Sequence, residues 1–283
     1  MAPAEALPIG VCSWSLRVNS VNELSDYLQK LGIRTVQIAC GDPIHANWNE
    51  GNGMPAVARS ADFVMTGAML GFPGEDYTSP EIIKNTGGFG PPDKRDERIE
   101  CLKWGLARTR ELGLADLSLH AGFIPPVGSP HRRSFLDTIA KVGQLATDAN
   151  VTVEFETGQE PSDLLKLTLE DLSCANLQIN FDPANMLLYD MGDPLRAVEL
   201  LAAHIRHVHV KDANRPKKAG EWGVEVPLGQ GQVNIPAFVQ ALWRAGYRGP
   251  LCIEREVGDQ RQRFHDIANG IDVLRRAIQP IKE

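Results

Sequence analysis

The stretch Arg206-His207-Val208-His209-Val210-Lys211-Asp212-Ala213-Asn214-Arg215 decides the reading of the chain. Its first half alternates, which puts Ile205, His207 and His209 on one face of a strand and Arg206, Val208 and Val210 on the other. The strand then ends in a burst of Lys, Asp and Arg and breaks into a Gly/Pro-rich loop. Packing alone gives a poor reason for an apolar strand to finish in so many ionisable groups. In a parallel α/β protein, that end of a strand is where ligands bind.

Working outward, the same strand-then-helix pattern recurs on both sides. Upstream, Ile9-Gly10-Val11-Cys12-Ser13-Trp14 reads as strand one. Ser20-Val21-Asn22-Glu23 is a capping box that opens a helix carrying Val21, Leu24, Leu28 and Leu31 on one side. Gly32 closes it, and Thr35-Val36-Gln37-Ile38 is strand two. Phe63-Val64-Met65-Thr66 reads as strand three, Leu117-Ser118-Leu119-His120 as strand four, and Val151-Thr152-Val153-Glu154-Phe155-Glu156 as strand five. Leu177-Gln178-Ile179-Asn180-Phe181-Asp182 is strand six, the opening stretch strand seven, and Leu251-Cys252-Ile253-Glu254 strand eight. Helices are expected over 96–112, 134–149, 162–171, 194–203, 236–245 (capped by Asn234) and 259–278. The Gly- and Pro-rich segment from 67 to about 95 is too long for a simple connection and reads as an active-site lid or binding loop. Eight βα units without a linker or a break in composition predict one (β/α)₈ TIM barrel spanning 1–283. A doubly wound open sheet is the runner-up.

Composition fits an ordinary globular protein: 283 residues, 43% hydrophobic and 23% charged. A net charge of −7, from 36 acidic against 29 basic residues, disfavours a duplex nucleic-acid binder. The first residues lack the basic region and apolar run of a signal peptide, and no stretch approaches a membrane span, so a cytoplasmic address without membrane association is expected. The five cysteines, Cys12, Cys40, Cys101, Cys174 and Cys252, lack metal-binding spacing and read as free thiols.

In a barrel, all eight carboxyl ends meet at one mouth. Strands five to eight end in Glu156, Asp182, His209 and Glu254. Three carboxylates and one imidazole form a hard, mostly oxygen site suited to Mn²⁺, Mg²⁺ or Co²⁺ more than to structural zinc. Each alone reads as a helix cap, a solvated residue or a satisfied core histidine; four at the ends of consecutive strands point to one metal. Period two gives each a competitor: Glu154 for Glu156, His207 for His209, Glu256 for Glu254. Position nearer the mouth favours Glu156 and His209, and Glu254 ends its apolar run directly. Pro183 breaks strand six and leaves Asp182 in the mouth.

Phe155-Glu156, Phe181-Asp182-Pro183-Ala184-Asn185, His207-Val208-His209-Val210-Lys211-Asp212, Leu228-Gly229-Gln230-Gly231-Gln232-Val233-Asn234 and Ile253-Glu254-Arg255-Glu256 follow in that order, with His120 in Leu119-His120-Ala121-Gly122. Together they resemble the sugar phosphate isomerase/epimerase group of xylose isomerase-like TIM barrels, which includes ketose 3-epimerases, inosose isomerases and dehydratases, and the endonuclease IV type. The resemblance implies metal ligation by Glu156, Asp182, His209 and Glu254, with zinc also possible. It implies that Glu156 and Glu254 exchange a proton on opposite faces of a keto sugar, and that Arg215 contacts substrate. Relatives of this kind often form homodimers or homotetramers. Two features depart from the epimerases: the second glutamate after strand five is offset to Glu160, and Asp182 has no nearby histidine after it.

The function expected is therefore a divalent-metal-dependent isomerase or epimerase of a small sugar or keto sugar. The alternative is a metal-dependent lyase or dehydratase starting from the same proton abstraction. An endonuclease IV-type nuclease would need more histidines at the mouth and a basic face, and a non-catalytic sugar-binding barrel would not need the four ligands. His120 suits a substrate contact or a bonded strand-end residue, and Lys211 and Arg215 suit an oxyanion, a phosphate or solvent. Trp14, Phe72 and Trp48 suit a sugar pocket or core packing. Arg255 reads as an ion-pair partner for Glu256, and Gly229-Gln230-Gly231 as a tight turn. His45, His131, His204 and His265 read as surface residues.

Overall fold

In the computed structural model, which describes residues 7–42 and 44–282, eight parallel strands close into a barrel. They are β1 (Ile9–Cys12), β2 (Thr35–Ala39), β3 (Val64–Met69), β4 (Asp116–Leu119), β5 (Thr152–Glu156), β6 (Leu177–Phe181), β7 (Ile205–Val210) and, at the seam, β10 (Leu251–Ile253). β10 pairs with both β7 and β1, which closes the ring. The expected (β/α)₈ barrel is what the chain forms. Two further strands, β8 (Asp212–Asn214) and β9 (Val224–Val226), make an antiparallel hairpin in the stretch expected as a loop.

The alternation of β7 fixes its two faces as expected. Val208 and Val210 are fully buried against the helical layer, while His207 and His209 bond other strands across the interior. Phe155 and Phe181 likewise face outward under helices, and Phe181 stacks on Phe238 of α9 (Ile235–Arg244) at 5.8 Å. A fully buried aromatic of this kind stabilises by roughly 2–3 kcal/mol through removal of apolar area from water.

Helix ends follow local chemistry. α1 (Val21–Leu31) starts at Ser20, whose hydroxyl accepts the Glu23 N–H at 3.2 Å, and stops at Gly32 in the left-handed region. α9 starts at Asn234, as its sequence indicates, with Oδ1 accepting the Ala237 N–H.

Strand three differs from the expected 63–66: it runs from Val64 to Met69 and includes Gly67. Glycine weakens a strand signal, yet here a Cβ would meet the His207 ring at 3.2 Å, so the interior selects it. The segment beyond is not devoid of structure. α3 (Pro80–Thr86) forms within it, and Phe72 packs on Phe89 at 5.2 Å. Helices α2 (Met54–Ser60) and α7 (Pro183–Leu188) were also not apparent from periodicity, being only two turns or less. The remaining helices are α4 (Arg95–Glu111), α5 (Arg132–Ala149), α6 (Ser162–Leu172), α8 (Pro194–Leu201) and α10 (Gln260–Lys282). Among the described residues no helix is long and apolar enough to cross a membrane.

Candidate functional site

Glu156, Asp182, His209 and Glu254 come together at the barrel mouth. All four are buried, and one oxygen or nitrogen from each lies within 4.8 Å of all the others. Their competitors sit elsewhere. Glu154 and His207 pair with each other at 2.8 Å two residues deeper in the barrel, and Glu256 leans outward with its side chain 48% exposed.

Each member is held by its own partners. Glu254 accepts from Trp14 Nε1 at 2.7 Å and from Lys211 Nζ at 2.9 Å. Burial works against its charge, but Lys211 and His209 outweigh that and hold its carboxyl well below the usual carboxylate range. Glu156 Oε1 accepts from Asn185 Nδ2 at 2.7 Å and lies 3.3 Å from His209 Nδ1, while Oε2 is 3.6 Å from His120 Nε2. Burial again opposes ionisation, and His120 and His209 bring the pKa below its ordinary value. Gly158 makes the Asn185 contact possible: its φ is +132°, and a Cβ there would fall 2.3 Å from the Asn185 Cβ.

Asp182 caps α7, its Oδ1 accepting from the Ala184 and Asn185 N–H groups at 2.7 and 3.0 Å. Burial first, then repulsion from Glu254 and Glu156, drives its pKa well above normal. Its other oxygen, Oδ2, is buried with no hydrogen-bond partner, as is Glu156 Oε2. Buried polar atoms are seldom left unpaired. Two unpartnered carboxylate oxygens beside a third carboxylate and an imidazole fit a hard divalent cation.

His209 is oriented from behind. Gln37 Oε1 meets its Nε2, Gln37 Nε2 donates to Ser118 Oγ at 2.9 Å, and Ser118 donates to Glu154 Oε2 at 2.9 Å. This leaves Nδ1 on the side of Glu156 and Glu254. Burial lowers the imidazole pKa, but those two carboxylates raise it to about 9. Groups that fix a ligand histidine typically matter 10–100-fold in metal affinity. Gln37→Leu should therefore weaken Mn²⁺ binding by about that factor, read by calorimetric titration. Unchanged affinity would remove Gln37 from the account.

Glu254 and Glu156 open into a cavity of about 390 Å³ walled by Tyr77, Tyr189 and Trp222. Tyr189 and Trp222 meet edge to face at 4.7 Å. His120 and Lys211 also line it. Lys211 is not a solvated loop charge: it is 2% exposed and bridges Glu254 and Glu256, which raise its pKa well above normal against the cost of burial. Trp14 is not part of this cavity's lining; it bonds Glu254 and packs on His209 at 5.7 Å. Arg215 lies apart from this lining, bound to Asp190 at 2.6 Å and to the Gly192 carbonyl. Phe72 and Trp48 are core residues.

Three readings change. His45 is not a surface residue: its side chain is 7% exposed, lines the cavity and pairs with Asp42 at 3.1 Å. Arg255 bonds Glu225 and Asp266 at 2.5 and 2.8 Å, not Glu256. Asp212 is structural: its carboxylate gathers the N–H groups of Gly229, Gly231 and Val233, which shapes the turn before α9. Tyr77, Asn185 and Gln37 were missed as site residues. Gln37 had a signal, as a polar side chain inside an apolar strand.

Glu160 is buried, and burial alone raises its pKa from 4.5 to about 8. Over that window the folded chain keeps a proton that the unfolded chain has lost, so stability falls as pH rises. Glu160→Gln should flatten this slope and stabilise the protein by a few kcal/mol near pH 8. Parallel denaturation curves for the two proteins from pH 5 to 8 would contradict it.

The chain belongs to the xylose isomerase-like TIM-barrel family, whose model matches residues 25–277. A xylose isomerase domain protein from Planctomyces limnophilus has 31% identity, a TM-score of 0.86 and 99% coverage of both chains. An uncharacterized protein of Methanocaldococcus jannaschii is 24% identical over 200 residues, 65% of this chain and 64% of that one. The L-ribulose-5-phosphate 3-epimerase UlaE of Escherichia coli is 27% identical over 169 residues, 56% of each chain. The similarity thus spans less than two thirds of the length of these two curated relatives.

Proposed function

We propose that the chain is a divalent-metal-dependent isomerase or epimerase of a small keto sugar. The observation that carries this reading is the buried convergence of Glu156, Asp182, His209 and Glu254, with Asp182 Oδ2 and Glu156 Oε2 unpartnered beneath an aromatic-walled cavity. The similarity to an L-ribulose-5-phosphate 3-epimerase supports the reaction class.

Those four side chains would hold the ion. When bound, it would supply positive charge against the negative charge that develops on substrate oxygens during enolisation, Mn²⁺, Mg²⁺ or Co²⁺ suiting the donors. Everything else falls to the chain's own groups. Lys211 and Trp14 keep Glu254 ionised and fixed, as a base needs. Glu156 stands across the site on β5, with His120 beside the oxygen that Asn185 leaves open. One carboxylate takes the proton next to the carbonyl and the other returns one to the opposite face. Tyr77, carried by the segment after β3, closes the wall over the cavity, and we assign that segment as the lid that excludes water.

The test is solvent deuterium incorporation into a panel of keto sugars with Mn²⁺ present and after chelation. Metal-dependent exchange beside the carbonyl is expected, with an isomeric sugar as product. Loss of water from the sugar instead would assign a lyase, and no exchange with any ketose would overturn the reading.

A further inference from the structure

Two arginines beside the cavity play no part in the site described above. Arg17 follows the tight turn Ser13–Leu16 in the left-handed region (φ 52°), and Arg263 lies in the first turn of α10. Their guanidinium groups converge. Arg263 Nε donates to the Gly258 carbonyl at 3.0 Å, and Arg17 Nη1 reaches the same oxygen at 3.5 Å. Arg263 Nη1 also approaches the Trp14 carbonyl at 3.4 Å, the oxygen that accepts the Arg17 N–H. Among the described residues neither has a carboxylate within ion-pair reach, whereas Arg215 and Arg255 are both tied to acids.

Two like charges on one carbonyl repel, and a guanidinium has five N–H donors, so most of theirs stay open. Burial lowers the Arg263 pKa, and Arg17 adds to that while Glu256 opposes it. Both arginines line a hollow of about 520 Å³ with Trp14, Asn19 and His45. Ile44, His45 and Glu256 line this hollow and the sugar-sized cavity alike, so the two adjoin. The one carboxylate in the lining, Glu256, is already engaged by Lys211. His45 also lines the hollow, but it is paired with Asp42 at 3.1 Å, so the open positive charge there belongs to the two arginines.

We infer that this hollow is an anion subsite, in which Arg17 and Arg263 hold the terminal phosphate or carboxylate of a keto sugar whose carbonyl end lies over Glu156 and Glu254. The inference rests on the proposed function for the keto end. The anionic end needs only planar, open donors, which suit either oxyanion.

The test compares L-ribulose with L-ribulose 5-phosphate, and D-fructose with D-fructose 6-phosphate and D-fructuronate, on the full-length Mn²⁺-loaded protein. Wild type, Arg17→Gln, Arg263→Lys and the Arg17→Gln/Arg263→Gln pair are measured. Anionic sugars should exchange deuterium with a kcat/KM roughly tenfold to a hundredfold above their neutral partners, the gain lying in KM. The double variant should lose that preference while neutral sugars keep their rate, and Arg263→Lys should retain part of it. Phosphate favoured over carboxylate, or the reverse, identifies the source. Preference for neutral sugars, or an equal loss for both kinds, would overturn the subsite. If no sugar exchanges, the isomerase reading falls separately, and calorimetric binding of L-ribulose 5-phosphate decides the subsite: weakening in Arg17→Gln and in the double variant supports it, and indifference to both overturns it.

Discussion

Glu254→Gln is expected to lower metal-dependent proton exchange at a keto sugar by about 10²–10⁴-fold, the usual contribution of a positioned base. The substitution keeps the shape of the side chain and its contact with Trp14, but removes the charge that Lys211 and His209 maintain. Measured at saturating Mn²⁺, the loss should fall on kcat. A variant within tenfold of wild type would show that Glu254 only holds the ion, and would move the base to Glu156.

The second large effect concerns folding. Lys211 is 2% exposed and is the nearer of the two positive partners of Glu254, itself 5% exposed, so Lys211→Met should leave a buried carboxylate with only the positive charge of His209 beside it. Breaking a buried pair in this way typically costs about 3–5 kcal/mol. Glu256, half exposed, can recover its hydration and adds little to the cost. The loss should be visible in urea denaturation of the metal-free protein, and Mn²⁺ should restore part of it by giving Glu254 a new positive partner. A variant as stable as wild type without metal would show that Glu254 takes up a proton at little cost.

The barrel was legible because a parallel strand and its helix leave two distinct periodicities, and eight such units leave little choice of architecture. The cluster of Glu156, Asp182, His209 and Glu254 at the mouth was legible for a related reason. His209 and Glu254 end apolar runs, and a charge where packing would place a hydrophobe is a strong local signal. What stayed hidden depends on partners distant in sequence. His45 looks like a surface residue until the fold brings Trp14 against it. Arg215 and Arg255 gave no hint of Asp190, Glu225 or Asp266. Gly67 read as the end of a strand because its reason, the His207 ring, lies across the barrel on β7. Tyr77 belongs to a segment without periodicity, and only the tertiary fold places it at the cavity.

Deep in the barrel, Glu154, Ser118 and Gln37 form a buried polar line that ends on His209. A barrel interior is ordinarily filled by branched apolar side chains. Such a line is fully bonded, so it specifies one geometry at the mouth without leaving charges unpaired.

The most direct measurement is Mn²⁺ bound to the crystallised protein and located by its anomalous scattering. The account predicts one strong peak, with Glu156, Asp182, His209 and Glu254 as ligands at about 2.0–2.4 Å, and its disappearance in Asp182→Ala. A peak held by other residues, or none at saturating Mn²⁺, would contradict the metal centre and with it the proposed chemistry.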